Sequence, residues 1–546
     1  MYVDTLHSGS EFDFIIVGAG SSGCALAGRL SEDRRKRVLL IEAGRSDNHY
    51  KTRIPAMVAH LLNDPQWIWP YVTEPQKYLK GQKTRWIRGR ALGGSSSING
   101  MVFVRGDPLE YDKWRDEFGC KDWGWRDMLP IFKRLESYSG GDPSVRGRNG
   151  PIHCRSLEGF NELSDAYVKA CGEAGHRVGR DLNDGDHYEG AFFGQISTRN
   201  GLRSSASRGY IHPFINRPNL TVLLNAHVTK ILIGERRALG VEYQKGSEKK
   251  RIIAKAEVAL AAGPIGSPQL LELSGVGNES ILRRLGITVV HHLPGVGENL
   301  LDHANSRIAY ECTRQITIND MFLNPWNRIK EAVKFALKRD GYLTISASLA
   351  QAHVRGSSIS TQADIGLRLQ PFSGLDRYAR TKGVGLDPFS GFNIGVTLLH
   401  PKSVGNTHIQ TSDPYDFPRM DPQYLIEESD SQRLLNGMRM ARNLAVQPAL
   451  RDFVRREVRP GPTTVSDEDL MDYIRETVQT SWHQVGTCRM GSDKMSVVSP
   501  TLRVQGIEGL RVVDSSIFPT IPSANTNIPS IAAGEKASDF ISADNS

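Results

Sequence analysis

The chain has 546 residues, of which 39% are hydrophobic and 23% charged, with 53 glycines and a formal net charge of +8. That length exceeds what a single hydrophobic core supports, so two domains are expected, while the ordinary composition excludes a fibrous or disordered chain. No apolar run reaches the roughly 18 residues of a membrane-spanning helix, and the basic runs "EDRRKR" (32–37) and "EKKR" (248–251) lack the aromatic interleaving of a nucleic-acid surface.

The opening segment, "MYVDTLHSGSEF", has neither a basic n-region nor an apolar h-region, so no secretory signal is expected. Cysteines at 24, 120, 154, 171, 312 and 488 form no Cys-x-x-Cys pair, which excludes an obvious metal centre and any disulfide framework. A cytoplasmic, reducing location fits these features. Phe14 to Val17 then forms an apolar run that predicts a buried parallel strand. It leads directly into Gly18-x-Gly20-x-x-Gly23, after which Ala25, Leu26 and Leu30 recur at helical spacing. A second predicted strand, "RVLLIEAG" (37–44), contains Glu42.

This strand–turn–helix–strand order is the dinucleotide fingerprint. Gly18 suits the tight turn, Gly20 admits a pyrophosphate to the backbone, and Gly23 lets the helix approach the strand. The helix N-terminus offers unpaired N–H groups to phosphates. Glu42, 24 residues beyond Gly18, is placed for the ribose hydroxyls, and an acid there disfavours a 2′-phosphate. The fingerprint alone does not separate NAD from FAD.

Two further segments are rich in small residues. "GRALGGSSSINGMVFVRGDPLEYD" (89–112) allows close approach of backbone to a flat ligand and offers several N–H and hydroxyl donors. "GPIGSPQLLELSGVG" (263–277) follows the strand-like "EVALAAG" (257–263) and enters a short helix. Both segments match, over their full length, the two signatures of the glucose–methanol–choline (GMC) oxidoreductases, and the chain resembles that family. "NLLDH" (299–303) after "PGVGE", and the tail "LRVVDSSIFPTIPSANTNIPSIAAGEKASDFI" (510–541), resemble it too. The resemblance covers nearly the whole chain and is weakest from about 306 to 400.

The resemblance implies an α/β fold: a Rossmann-like FAD-binding domain interleaved with an α+β substrate domain on an antiparallel sheet. The FAD-binding domain would take 1–159, 205–305 and 480–546, and the substrate domain 160–204 and 306–479. Gly18, Gly20, Ser21, Ser22 and Gly23 would surround the pyrophosphate turn, with Glu42 and Ala43 at the ribose. Arg90, Gly94, Ser95, Asn99, Gly100 and Val102 would lie along the flavin ring and Val228 at the adenine. Asp514, Ser515, Asn525 and Thr526 would close over the ribityl chain. Some members link FAD covalently through a histidine immediately before the Asn of the first signature; Ile98 stands there, so non-covalent FAD is expected.

His483, in "SWHQVGTCRM" (481–490), reads by itself as a satisfied structural histidine. The resemblance instead implies that it is the base for oxidation of a primary alcohol to an aldehyde, with hydride passing to flavin N5 and Asn527 holding the substrate oxygen. The implied partners are a small alcohol and either oxygen or a quinone-type acceptor. A lyase of the same fold, cleaving cyanohydrins without net redox change, is the alternative. Gln351, His353 and Arg368 read as structural polar residues in the middle of the chain, and no carboxylate is placed there for a choline-like substrate.

Overall fold

The computed structural model describes residues 1–185, 188–346, 348–357, 359–374 and 385–545. Its first apolar run is the strand Glu11–Val17, followed by the helix Ser21–Leu30 and the strand Val38–Ile41. The two strands are parallel, with Phe14 opposite Val38 and Val17 opposite Ile41. All of Val38–Ile41 is buried, as expected for a strand covered on both faces. On one side the sheet continues through Leu220–Leu223 to Tyr2–Val3.

On the other side, the long strand Glu248–Leu260 joins two kinds of pairing. Its C-terminal part runs parallel to Glu11–Val17 and Leu510–Val512, and its N-terminal part continues antiparallel into Arg237–Lys245 and then His227–Gly234. The closing helix, Asn527–Asp544, packs on Ser21–Leu30 so closely that a Cβ on Gly534 would lie 2.3 Å from the Ser22 carbonyl oxygen. Buried Glu535 pairs there with Arg29 at 2.9 Å and with Arg134 at 2.6 Å.

The second sheet is antiparallel throughout. Its order is Val454–Arg459, Ala304–Cys312, Gly391–Leu398, Ile365–Gln370, Ala350–Val354 and Gly190–Phe193, with Gln479–Thr480 paired to the start of Ala304–Cys312. Residues opposite one another share a face, so the register divides the sheet chemically. Ala350, Ala352, Leu367, Leu369, Ile394 and Val396 occupy one face, and Gln351, His353, Arg368, Gln370, Asn393 and Thr397 occupy the other.

Both faces are buried. The apolar one lies under the helix Glu428–Ala445, whose Leu434, Leu435, Met438, Ala441 and Leu444 point inward. A Cβ on Gly437 would come within 2.4 Å of Val396 Cγ1, so glycine sets how closely that helix sits. The polar face is turned to the nucleotide-type half, and the hairpin Ile68–Val72/Arg85–Gly89 places Tyr71 and Trp86 in the same core.

Candidate active site

A cavity of about 910 Å³ lies between the two sheets, near the upper end of ordinary ligand clefts. At one end it is bounded by backbone. A Cβ on Gly23 would lie 2.0 Å from the Gly18 carbonyl oxygen, and one on Gly94 would lie 2.7 Å from Gly20 Cα. The fingerprint turn and the small-residue segment therefore touch through atoms that a side chain would displace. Gly20 begins its helix without a side-chain cap, and Thr526 does the same for Asn527–Asp544. Gly20, Ser21 and Ser22 line the cavity, as do Thr526, Asn527 and Ser530, so two uncapped, partially positive helix ends border one space.

Glu42 is buried beside them, where its carboxylate accepts from the Ala19 N–H at 2.9 Å and the Gly44 N–H at 2.8 Å. Burial pushes its carboxyl up to about 7, against those two hydrogen bonds and Arg90. Asp514 accepts from the Gly263 N–H and the Ser516 N–H, each at 2.9 Å, and burial raises its pKa also. An acid facing a pair of uncapped helix ends, with glycines where a phosphate would approach, is the donor and acceptor set that an FAD requires.

His483 is positioned from below by the dipeptide Asp302–His303. Asp302 accepts from the His483 N–H at 2.9 Å and from Gln484 Nε2 at 2.9 Å. His303 Nε2 lies 3.1 Å from the Leu399 carbonyl oxygen, its Nδ1 lies 2.9 Å from His483 Nδ1, and His483 Nε2 lies 2.9 Å from Asn525 Nδ2. The proton positions along this chain follow from the ends. A carbonyl only accepts, so His303 Nε2 carries the proton. Burial, with Arg368 nearby, holds the His303 imidazole well below its ordinary value, so it is neutral and its Nδ1 accepts. His483 Nδ1 must then donate, which leaves His483 Nε2 as the acceptor of a hydrogen bond from the Asn525 amide.

The backbone that delivers His483 is irregular. Leu301 faces Val485 and Ala304 faces Thr480, so four residues on one strand oppose six on the other. The surplus residues form a bulge in which Trp482 adopts φ +59°, and the bulge turns the following histidine into the cavity. Arg88 fastens it by donating to the Trp482 carbonyl oxygen at 2.8 Å.

Of the residues expected from the sequence, Gly18, Gly20, Ser21, Ser22, Glu42, Ala43, Gly94, Ser95, Asn99, Gly100, Val102, Val228, Asp514, Ser515, Asn525, Thr526, His483 and Asn527 all line this one cavity. Gly23 does not; it serves the helix–turn contact. Arg90 does not either: its guanidinium stacks 4.5 Å over Trp69, and Arg88, two residues earlier, reaches the cavity instead. A correction concerns the asparagine beside His483. Asn525, not Asn527, meets the imidazole, whereas Asn527 Oδ1 accepts from Ser21 Oγ at 2.8 Å at the fingerprint turn. Asn527 is the first residue of the closing helix, and its side chain follows that helix toward Ser21.

Sequence reasoning left His303 without a role and did not assign the cavity wall formed by Arg368 and Gln370. Alternate polar residues in "AQAHV" and "GLRLQ" are the signal for a polar sheet face. Ile98, where a linking histidine would stand, lines the cavity and packs in a small apolar cluster with Trp67, Ile87 and Ala91.

The N-terminal and C-terminal profiles of the GMC oxidoreductases match residues 12–305 and 401–534. An alcohol dehydrogenase [acceptor] of Pseudomonas putida is 37% identical over 97% of this chain and 95% of its own. An oxygen-dependent choline dehydrogenase of Photobacterium profundum is also 37% identical, over 97% of this chain and 93% of its own. Among solved structures, pyridoxine 4-oxidase from Mesorbium loti superposes with a TM-score of 0.87 at 27% identity, covering 97% of this chain and 98% of that one.

Proposed function

The chain belongs to the GMC oxidoreductase family, and from that premise we propose that it oxidises a primary alcohol to an aldehyde with His483 as the base. It is an FAD-dependent oxidoreductase acting on CH–OH donors. FAD, when bound, supplies the two-electron acceptor for the hydrogen leaving the carbinol carbon. The observation that carries the proposal is the ordered chain from the Leu399 carbonyl to the Asn525 amide, because it makes His483 Nε2, at the cavity wall, an acceptor and not a donor. An alcohol oxygen that replaces the direct His483–Asn525 contact donates its proton to His483 Nε2 and accepts from the Asn525 N–H. Removing the proton as the C–H bond breaks avoids a protonated carbonyl product, an effect worth roughly 10²–10⁴-fold.

The described wall also bears on the substrate. Its only acids are Glu42 and Asp514, both bonded to backbone amides of the nucleotide half, whereas Arg85, Arg88 and Arg368 line it as well. A neutral or anionic alcohol suits such a wall better than a quaternary ammonium. Ile98 cannot form a bond to the cofactor, so the FAD is held non-covalently, by the residue set described above. The domain division is proposed as 1–159, 205–305 and 480–546 against 160–204 and 306–479. Six buried, unpaired cysteines favour a cytoplasmic setting.

Mixing the yellow protein anaerobically with a panel of primary alcohols tests the function. Loss of flavin absorbance supports alcohol oxidation. A spectrum unchanged by every alcohol, with cleavage of a cyanohydrin, would replace it with the lyase reading. Reoxidation of the reduced protein by oxygen and by a soluble quinone then identifies the acceptor.

A further inference from the structure

The helix Pro325–Lys338 is held to the protein by one edge only. Asn327 Nδ2 donates to the Asp320 carbonyl oxygen at 3.2 Å, Glu331 accepts from the Tyr342 N–H at 2.7 Å, and Phe335 is buried. Those residues recur every fourth position and define the attached face. The opposite face carries Trp326, Ile329, Val333 and Leu337, exposed by 76%, 54%, 51% and 79%. Their spacing of three, four and four residues makes a continuous apolar stripe pointing directly away from the fold.

The exposed charges of this helix and its C-cap share one sign. Arg328, Lys330, Lys334, Lys338 and Arg339 are all exposed. The nearby acids are Glu331, which is turned inward to Tyr342, and Asp340, which pairs with Lys334 at 3.3 Å. An exposed apolar stripe with a tryptophan, on a helix of little net hydrophobicity whose exposed charges are lysines and arginines, has the chemistry of a helix that lies in a lipid–water interface. A second copy of the chain is a poor occupant, because stacking the stripe on itself would oppose five bases with five bases. No described helix is long and apolar enough to cross a membrane.

We propose that the helix Pro325–Lys338 seats this protein on an anionic lipid surface, its apolar stripe entering the acyl boundary and its bases meeting the headgroups. The preceding helix, Ile318–Leu323, lends Ile318, Met321 and Phe322 to the wall of the active-site cavity, so the seated face is continuous with that wall. The proposal does not depend on which alcohol is oxidised.

Flotation of the FAD-loaded protein with vesicles tests it. The protein is expected to float with vesicles of phosphatidylcholine and phosphatidylglycerol, less with phosphatidylcholine alone, and less again at high salt. The double substitution Trp326→Glu with Leu337→Glu should abolish flotation. Lys330→Glu with Lys338→Glu should weaken it by on the order of tenfold or more. Both variants should keep their FAD and their turnover of a soluble alcohol with a soluble acceptor. Failure of the wild type to float overturns the proposal, as does undiminished flotation of the Trp326/Leu337 variant. A variant that turns a dimer into a monomer while vesicle binding is absent would assign the stripe to a second copy.

Discussion

The two walls of the cavity are made of different materials. Below, the chain presents backbone: glycines at 18, 20 and 94, two uncapped helix ends and a buried carboxylate. Above, it presents side chains, the polar half of a sheet whose other half is hydrocarbon. A backbone wall constrains residue type locally, because only glycine tolerates a neighbour where its Cβ would stand. A side-chain wall constrains only polarity at every second position, and the identity of each group is left to the substrate. The lower wall is therefore fixed by what all dinucleotides share, and the upper one is open to specialisation.

Four variants break or sharpen that contrast. The largest effect is expected at the backbone wall. Gly94→Val places atoms where Gly20 Cα lies 2.7 Å from the position of a Cβ, so the purified protein should be colourless, with no flavin released on acid denaturation. Retained yellow colour would show that the two glycine segments can separate. At the junction of the walls, His483→Ala should keep FAD and slow anaerobic flavin reduction by alcohol at least about 10²-fold. A wild-type rate in that variant would remove His483 from its role.

Asn525→Ala, losing one hydrogen bond to the reacting oxygen, should cost on the order of tenfold in the same measurement. The smallest effect belongs to the polar face of the second sheet, at His353, beside the side-chain wall. Burial lowers the His353 imidazole to about 3, from 6.5 when exposed. Between those values the unfolded chain binds a proton that the folded chain refuses, so stability contributed at neutral pH is lost as pH falls, by about 1.4 kcal/mol per pH unit for one such group. His353→Gln should remove that slope. Denaturant titrations of both proteins at neutral and mildly acid pH check it, and parallel pH dependences would mean that His353 takes up its proton as readily in the fold as in the unfolded chain.

The same contrast explains what could be read from the sequence. Gly18, Gly20, Gly23 and Glu42 announce the nucleotide turn because their spacing is local and each type has a steric or electrostatic reason. The neighbour of His483 was not legible in that way. Asn525 and Asn527 stand two residues apart in "NTNIP", and what separates them is that the second begins a helix and is drawn toward Ser21. His303 could be seen only as part of "NLLDH", since its role arises from a contact across 180 residues. Arg88 lies on the strand Arg85–Gly89 and lines the cavity, whereas Arg90 follows the strand's end and stacks over Trp69. In "AQAHV" and "GLRLQ" the alternation was legible, but not that this face looked onto a cavity.

The bulge that carries His483 has a consequence for how this chain can change in length. Four residues from Leu301 to Ala304 are matched to six from Thr480 to Val485, and the imidazole meets its partners only because the surplus is two. Deleting or adding one residue there would reverse which side of the strand each later side chain occupies. His483 would be turned away from both His303 and Asn525, although every residue type remained. The exposed turn between Arg237–Lys245 and Glu248–Leu260 carries no such count. Homologues and engineered descendants should thus vary in length at that turn and keep the spacing of 480–485 unchanged, so insertions and deletions, more than substitutions, trace where this enzyme is rigid by inheritance.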